Sequence, residues 1–379
     1  MKRIFILILF PIACANSAED TDLPETPEES VTEDSVNLQW EPESELVVDG
    51  FTIAWGFTWL PNGDMLVTEK SGELYRVVGQ EKTEISGLPE VKVQGQGGLM
   101  DIELHPEYEE NGWIYITYAS SDGGGRGANT ALMRAKLTGN QLTDQERLYK
   151  AEPNTTKGQH FGSRIAFDDD GFLYFTVGDR GARDLNPQDI YRDNGKVYRL
   201  NDDGTVPESN PFYDESGAVK AIFSYGHRNP QGMEKNPFTG EIWTHEHGPK
   251  GGDEVNVIQA GNNYGWPVIS YGINYNGTKF TEITAKEGME QPMWYWVPSI
   301  APSGMAFSSG DAYPGWQGDL FIGSLKFSYL MYCNIENGKI VSEKPLFEGI
   351  GRVRAVEEGP DGHIYFSVEG KGIYRIKKP

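Results

Sequence analysis

Two cysteines in 379 residues, Cys14 and Cys333, cannot build a disulfide framework. Cys14 lies in a segment that reads as processed, so Cys333 is left alone and the fold does not depend on a disulfide in any compartment. No Cys-x-x-Cys-His run is present, which excludes a covalently attached haem of the c type. Basic charge is also scarce: 33 Lys and Arg stand against 56 Asp and Glu, a net charge of −23. Such a surface repels nucleic acid and anionic membranes. No apolar run with a 3.6-residue period extends for about a dozen residues, so long helices are not expected. Beyond the N-terminus no stretch is long and apolar enough to span a bilayer.

Glycine (46), proline (22) and aromatic residues (12%) are plentiful instead, with 38% hydrophobic residues to build a core. That composition points to many turns. Length alone suggests two or three domains of roughly 100–200 residues, but a closed all-β structure can hold the whole chain in one unit.

The N-terminus reads as an export signal over residues 1–15. Lys2 and Arg3 form a basic start, and residues 4–12 form an apolar segment too short to cross a bilayer. Ala13-Cys14-Ala15 fits ordinary signal cleavage. Ile12-Ala13-Cys14 fits a lipobox, which would end the signal before Cys14 and leave a lipid anchor there. Either form places the protein outside the cytoplasm, periplasmic and soluble or lipid-anchored. Residues 16–38, rich in Glu, Asp, Thr, Ser and Pro, cannot bury a core and are expected to form a disordered acidic linker.

Residues 39–379 carry a repeat. An apolar stretch, a Gly-containing turn and a β-rich run recur at 57–68, 100–118, 165–177, 232–245, 304–322 and 355–368. Apolar–polar alternation after a tight turn is a hairpin signature. Six copies predict an all-β fold, a six-bladed β-propeller of four-stranded blades. The segment from Leu46 to Trp55 is expected to complete the blade that ends at Ile373 to Lys377.

Propeller ligands bind at the channel mouth, so polar residues between repeats are the candidates. Three loops lie close together in sequence: Gly226-His227-Arg228-Asn229-Pro230-Gln231-Gly232, then Glu246-His247-Gly248-Pro249-Lys250-Gly251-Gly252-Asp253-Glu254, then Asn263-Tyr264-Gly265-Trp266-Pro267. Their glycines expose carbonyls of the kind that calcium takes, although each alone also reads as a turn. His160 and Asp179 flank one repeat, and a hairpin could bring them together, an arrangement in which the carboxylate makes the imidazole a directed base. Arg352 and Arg354, two residues apart, share one face of a strand. With Lys326 they suit an anion, and they also read as solvated surface cations.

Together these segments resemble the soluble PQQ-dependent glucose dehydrogenases, and more closely the shorter aldose sugar dehydrogenases of that superfamily, from about residue 53 to residue 377. Gly95-Gln96-Gly97-Gly98-Leu99-Met100, Gly195-Lys196-Val197-Tyr198-Arg199-Leu200 and the GHRNPQG and NYGWP motifs carry the resemblance. It implies PQQ and Ca2+ as cofactors and an aldose as substrate. His160 falls at the general base, Asp179 at its orienting carboxylate and Gln96 at a polar contact. Arg228 and Asn229 fall at contacts to the quinone carbonyls, and Tyr275 beside the cofactor. Lys326, Arg352 and Arg354 match the carboxylate clamp. Gly248 and Pro249 match carbonyl ligands of the bridging calcium, and Glu254 and Tyr264 a second calcium site. His247 stands where the glucose enzymes carry Gln, and the chain is shorter, which points to an open pocket for several aldoses. Electrons would pass to an external acceptor, a quinone or cytochrome. The rival readings are a calcium-dependent propeller lactonase and a propeller that only binds.

Overall fold

The computed structural model describes Leu38 and residues 40–378. The expected export signal and all of the expected linker except Leu38 lie outside the described residues. Among the described residues the one α-helix is a single turn, Tyr108–Asn111. Among the described residues no helix is long and apolar enough to cross a membrane.

Strand β1 (Ser44–Asp49) precedes five consecutive antiparallel sheets. The first is β2–β5 (Ala54–Trp59, Met65–Glu69, Leu74–Val78, Glu81–Ile85), the second β6–β9 (Leu99–Leu104, Trp113–Ser120, Asn129–Thr138, Gln141–Lys150). The third is β10–β13 (Ile165–Phe167, Leu173–Val177, Lys196–Leu200, Ile222–Tyr225). The fourth is β14–β17 (Pro230–Lys235, Ile242–Glu246, Asp253–Val257, Trp294–Trp296), the fifth β18–β21 (Pro302–Phe307, Leu320–Ser324, Tyr329–Glu336, Lys339–Leu346). The sixth takes β22–β24 (Val353–Glu358, Ile364–Val368, Gly372–Ile376) and adds β1 at its outer edge, with Leu46 opposite Tyr374. The result is a six-bladed β-propeller closed by its first strand.

Each of the six sequence repeats is the hairpin of a blade's two innermost strands: Trp59 faces Met65, Phe167 faces Leu173 and Glu358 faces Ile364 across the turns. One boundary differs from expectation. The closing strand ends at Asp49, and Ala54-Trp55 opens β2 instead. Gly50, at φ 76°, turns the chain between the two, a conformation that glycine adopts without steric cost. Apolar side chains fill the space between blades, as where Phe321, Leu330, Val353, Val356 and Phe366 pack together between the fifth and the sixth. Leu38 and Trp40 pack against that same cluster.

All six inner strands end around one cavity of about 370 Å³, which contains Trp59, Glu103, Phe167, Glu234, Phe307 and Glu357 in its walls. They therefore run in one direction, and all start at the opposite mouth. Near that start the register slips in five of the six inner hairpins, between Ala54 and Gly56, Leu99 and Ile102, Pro230 and Gly232, Ser303 and Met305, and Val353 and Val356. Bulges of this kind re-aim side chains. Gly304 (φ 67°) lies so close to the next inner strand that a Cβ there would sit 2.5 Å from Val356 N. Arg164 ties the starts together: its guanidinium bonds Asp101 Oδ1 at 2.9 Å and donates to the carbonyls of Gln231 and Arg354.

Candidate active site

The β10–β11 hairpin brings its two flanking loops together. His160 Nδ1 lies 2.6 Å from Asp179 Oδ1. His160 sits at φ 60°, and its backbone N–H donates to Gln96 Oε1 at 2.7 Å. The Gln96 loop thus holds the histidine in an unusual backbone conformation. Asp179 is 1% exposed. Its Oδ1 also accepts from Gly181 N at 2.7 Å, and its Oδ2 accepts from Trp266 Nε1 at 2.9 Å. Burial pushes the Asp179 carboxyl up, but hydrogen bonding to His160 and the nearby Arg228 charge bring it below its ordinary value. Burial lowers the His160 imidazole, against the opposing pull of Asp179. The pair therefore stands as carboxylate and neutral imidazole, with Nδ1–H donated and Nε2 left as an acceptor.

Lys196 of the GKVYRL motif organises the loop beneath Asp179. Its ammonium is fully buried and donates to the carbonyls of Asn186, Pro187 and Asn194. Burial lowers its pKa to about 7. Asn186 in turn donates to the backbone carbonyl of Asp179.

Arg228 lines the same pocket, and its carbonyl accepts from Asp179 N at 2.8 Å. Its guanidinium donates to His247 O at 2.9 Å and to Gly248 O and Tyr275 OH at 3.4 Å. Glu246 fixes this loop by accepting from the backbone N–H groups of Arg228 and Asn229 and from His227 Nδ1. Asn229 Oδ1 accepts from Gly162 N, while its buried Nδ2 has no partner among the described residues. His160, Asp179, Arg228, Pro249, Trp266 and Tyr275 are among the walls of a pocket of about 460 Å³. Tyr275 is 73% exposed at its rim. The imidazole of His247 does not line this pocket; its Nε2 donates to Pro302 O at 2.7 Å.

Arg228, Glu246, Gly248, Glu254 and Tyr264 surround a second, much smaller cavity of about 10 Å³, the volume of roughly one water-sized sphere. Burial and the nearby Glu246 push the Glu254 carboxyl well up. A Cβ on Gly248 would stand about 2.1 Å from Gly251 O, so only glycine fits there. Pro249 O accepts from Ile273 N and keeps a second lone pair.

Lys326, Arg352 and Arg354 gather at the same mouth. Arg352 Nη1 donates to Leu325 O, beside Lys326, and Lys326 Nζ donates to Ser299 O. Sequence reading missed a carboxylate among them. Glu369 bonds Arg352 Nε at 2.6 Å and Arg354 Nη2 at 2.6 Å. Arg354 Nη1 also reaches Gln231 Oε1 at 3.2 Å. Lys70 adds a further charge: burial lowers its pKa first, and Arg354 lowers it further. Glu369 and Glu69 both oppose these effects on Lys70. Nothing in the sequence marks Glu369, whereas Gln231 and Trp266 stood inside the quoted motifs.

Solved sugar dehydrogenases share this architecture. The apo form of the soluble aldose sugar dehydrogenase from Escherichia coli superposes with a TM-score of 0.84 at 36% identity, over 89% of this chain and all of that one. The PQQ-bound aldose sugar dehydrogenase from Streptomyces coelicolor gives 0.73 at 26% identity, over 89% and 98%. In sequence, aldose sugar dehydrogenase YliI of Escherichia coli is 40% identical over 329 residues, 85% of this chain and 88% of that protein. Residues 51–375 match the family described as Glucose / Sorbosone dehydrogenase, and the chain belongs to that family.

Proposed function

We propose that this protein is an exported PQQ- and calcium-dependent aldose dehydrogenase that oxidises sugars at the anomeric carbon to lactones. The observation that carries the reading is the His160–Asp179 pair, set with Arg228 in the walls of one open pocket. His160 Nε2 takes the proton of the anomeric hydroxyl, and Asp179 holds the ring in the tautomer that can accept it. Arg228 presents a fixed cation to negative charge that develops in the pocket. When bound, the quinone supplies the two-electron acceptor for the hydride of the anomeric carbon.

The residues present suit both cofactors. PQQ carries three carboxylates, and Lys326, Arg352 and Arg354 would hold them, with the unpartnered Asn229 amide and Arg228 turned to the quinone oxygens. The carbonyls of Gly248 and Pro249 would hold a calcium, a hard cation that takes oxygen ligands. Glu254 and Tyr264 would hold a second one beside the small cavity, where a cation would relieve the crowding of Glu246 and Glu254. The exposed rim at Tyr275 supports a broad range of aldoses, disaccharides included. An external electron acceptor, a quinone or cytochrome, would be needed for turnover.

The test is reconstitution of purified apoprotein with PQQ and calcium, followed by dye reduction with a panel of aldoses. Calcium-dependent PQQ binding and turnover of several sugars are expected. Wild-type protein that binds no PQQ in the presence of calcium would overturn the reading.

A further inference from the structure

Trp266 stands in the NYGWP motif and has no part in the proton transfer described above. Its indole nonetheless touches three parts of the site. Nε1 donates to Asp179 Oδ2 at 2.9 Å, the ring centroid lies 5.3 Å from the Arg228 guanidinium carbon, and its edge packs 5.1 Å from Phe280. Phe280 in turn lies beneath Arg183, another wall residue of the large pocket.

The two oxygens of Asp179 are served unequally. Oδ1 receives His160 Nδ1 and Gly181 N, whereas the indole N–H is the one hydrogen-bond donor to Oδ2 among the described residues. A buried anionic oxygen with no donor is costly. A carboxylate held at one oxygen only can also rotate about its terminal torsion, whose preference is broad.

The backbone of Trp266 is secured without its side chain. Its N–H donates to Gly226 O at 2.9 Å, and its carbonyl accepts from Gln188 Nε2 at 2.8 Å. Gly265 N donates to Asn263 Oδ1 at 2.9 Å, and Asn263 is bonded through both amide atoms to Gln188. The loop is therefore fixed on the β10–β13 blade, and the indole is free to act on Asp179.

We infer that Trp266 is a positioning residue for the reaction: its indole N–H, donated to Asp179 Oδ2, holds the carboxylate in the orientation that keeps His160 Nδ1 protonated and Nε2 open to the sugar hydroxyl. The inference rests on the proposed dehydrogenase reading. Its consequence is specific. Losing the indole donor should slow the chemical step and leave the binding of sugar and cofactor nearly intact.

Trp266→Phe keeps an aromatic ring and removes the donor, whereas Trp266→Gln keeps an N–H donor and loses the ring. Two readouts separate positioning from packing. In cofactor-free protein, the hydrogen-bonded Nδ1 proton of His160 should give a downfield NMR resonance, assigned by its loss in His160→Ala. It should be present in wild type, broadened or absent in Trp266→Phe, and retained in Trp266→Gln. In protein reconstituted with PQQ and calcium, Trp266→Phe should lower kcat about 10-fold, as for the loss of one hydrogen bond to a charged group. KM and PQQ affinity should stay close to wild type. A Trp266→Phe protein with the wild-type resonance and wild-type kcat would overturn the inference, as would a Trp266→Gln protein that loses as much as Trp266→Phe in both readouts. Wild-type protein that oxidises no aldose would defeat the proposed activity instead, and the cofactor-free resonance would still report on Trp266 alone.

Discussion

The two mouths of the propeller channel are built from the same six strands and differ in the ionisable side chains they present. Where the inner strands begin, Arg228 shares a pocket with the His160–Asp179 pair, and Arg352 and Arg354 bond Glu369, with Lys70 close to Arg354. Where the strands end, Glu103, Glu234 and Glu357 line one cavity. Burial pushes all three of these carboxyls up, Glu234 to about 8, and the charge of Glu234 raises Glu103 and Glu357 further. Each strand contributes to both ends: β22 starts after Arg352 and ends with Glu357 and Glu358, and β14 starts two residues after Arg228 and ends with Glu234 and Lys235. Strand direction thus turns a local charge order along the chain into a polarity of the whole channel. One end is suited to anions and proton transfer, while the other crowds like charges at a cost in stability.

His160→Ala in reconstituted protein should retain PQQ binding and lose turnover by about 10²–10⁴-fold. Near-normal dye reduction at neutral pH would remove the base from the cationic mouth. Next in size is the clamp. Arg354→Ala should weaken PQQ binding by about 10- to 150-fold, the range for one lost charge-assisted hydrogen bond. Fluorescence titration of apoprotein with PQQ measures this, and unchanged affinity would place the cofactor elsewhere.

A smaller effect concerns pH. Because burial lowers the His160 imidazole, the base stays neutral below the ordinary histidine value, and the acid limb of kcat/KM should lie below pH ~6.5. A limb at or above that value would show that Asp179 prevails over burial.

The smallest effect is at the acidic mouth. The folded pKa of Glu234 lies above its unfolded value, so its contribution to stability is fully present below about pH 4.5 and is lost as pH rises toward 8. Glu234→Gln should therefore raise Tm by about 1–3 °C at pH 8, with the gain shrinking toward pH 4, and leave kcat unchanged. A mutant that loses activity at every pH would show that the two mouths are not independent.

Much of this was legible in the chain. The six repeats marked the inner hairpins because a tight turn between two buried strands imposes the same local pattern each time. His160 and Asp179 could be paired in sequence because one hairpin, β10–β11, separates them. The end of the closing strand was misplaced by several residues, since Phe51 and Ile53 are as apolar as the strand before them, and only the turn at Gly50 separates β1 from β2. Glu369 was invisible as a partner of the arginines. It follows the end of β23 rather than standing among the motifs, and its role depends on the pairing of β23 with β22.

The propeller and the number of its blades could be read along the chain, because hairpin patterns and glycine-bearing turns are local properties. Only the tertiary structure decided that Trp266 serves Asp179 across 87 positions of chain, that Glu369 occupies the arginine pair, and that carboxylates crowd the far mouth. Those contacts join residues from different blades or different strands of one blade. Their distances are set by closure of the ring and by strand pairing, which no local pattern of residues encodes.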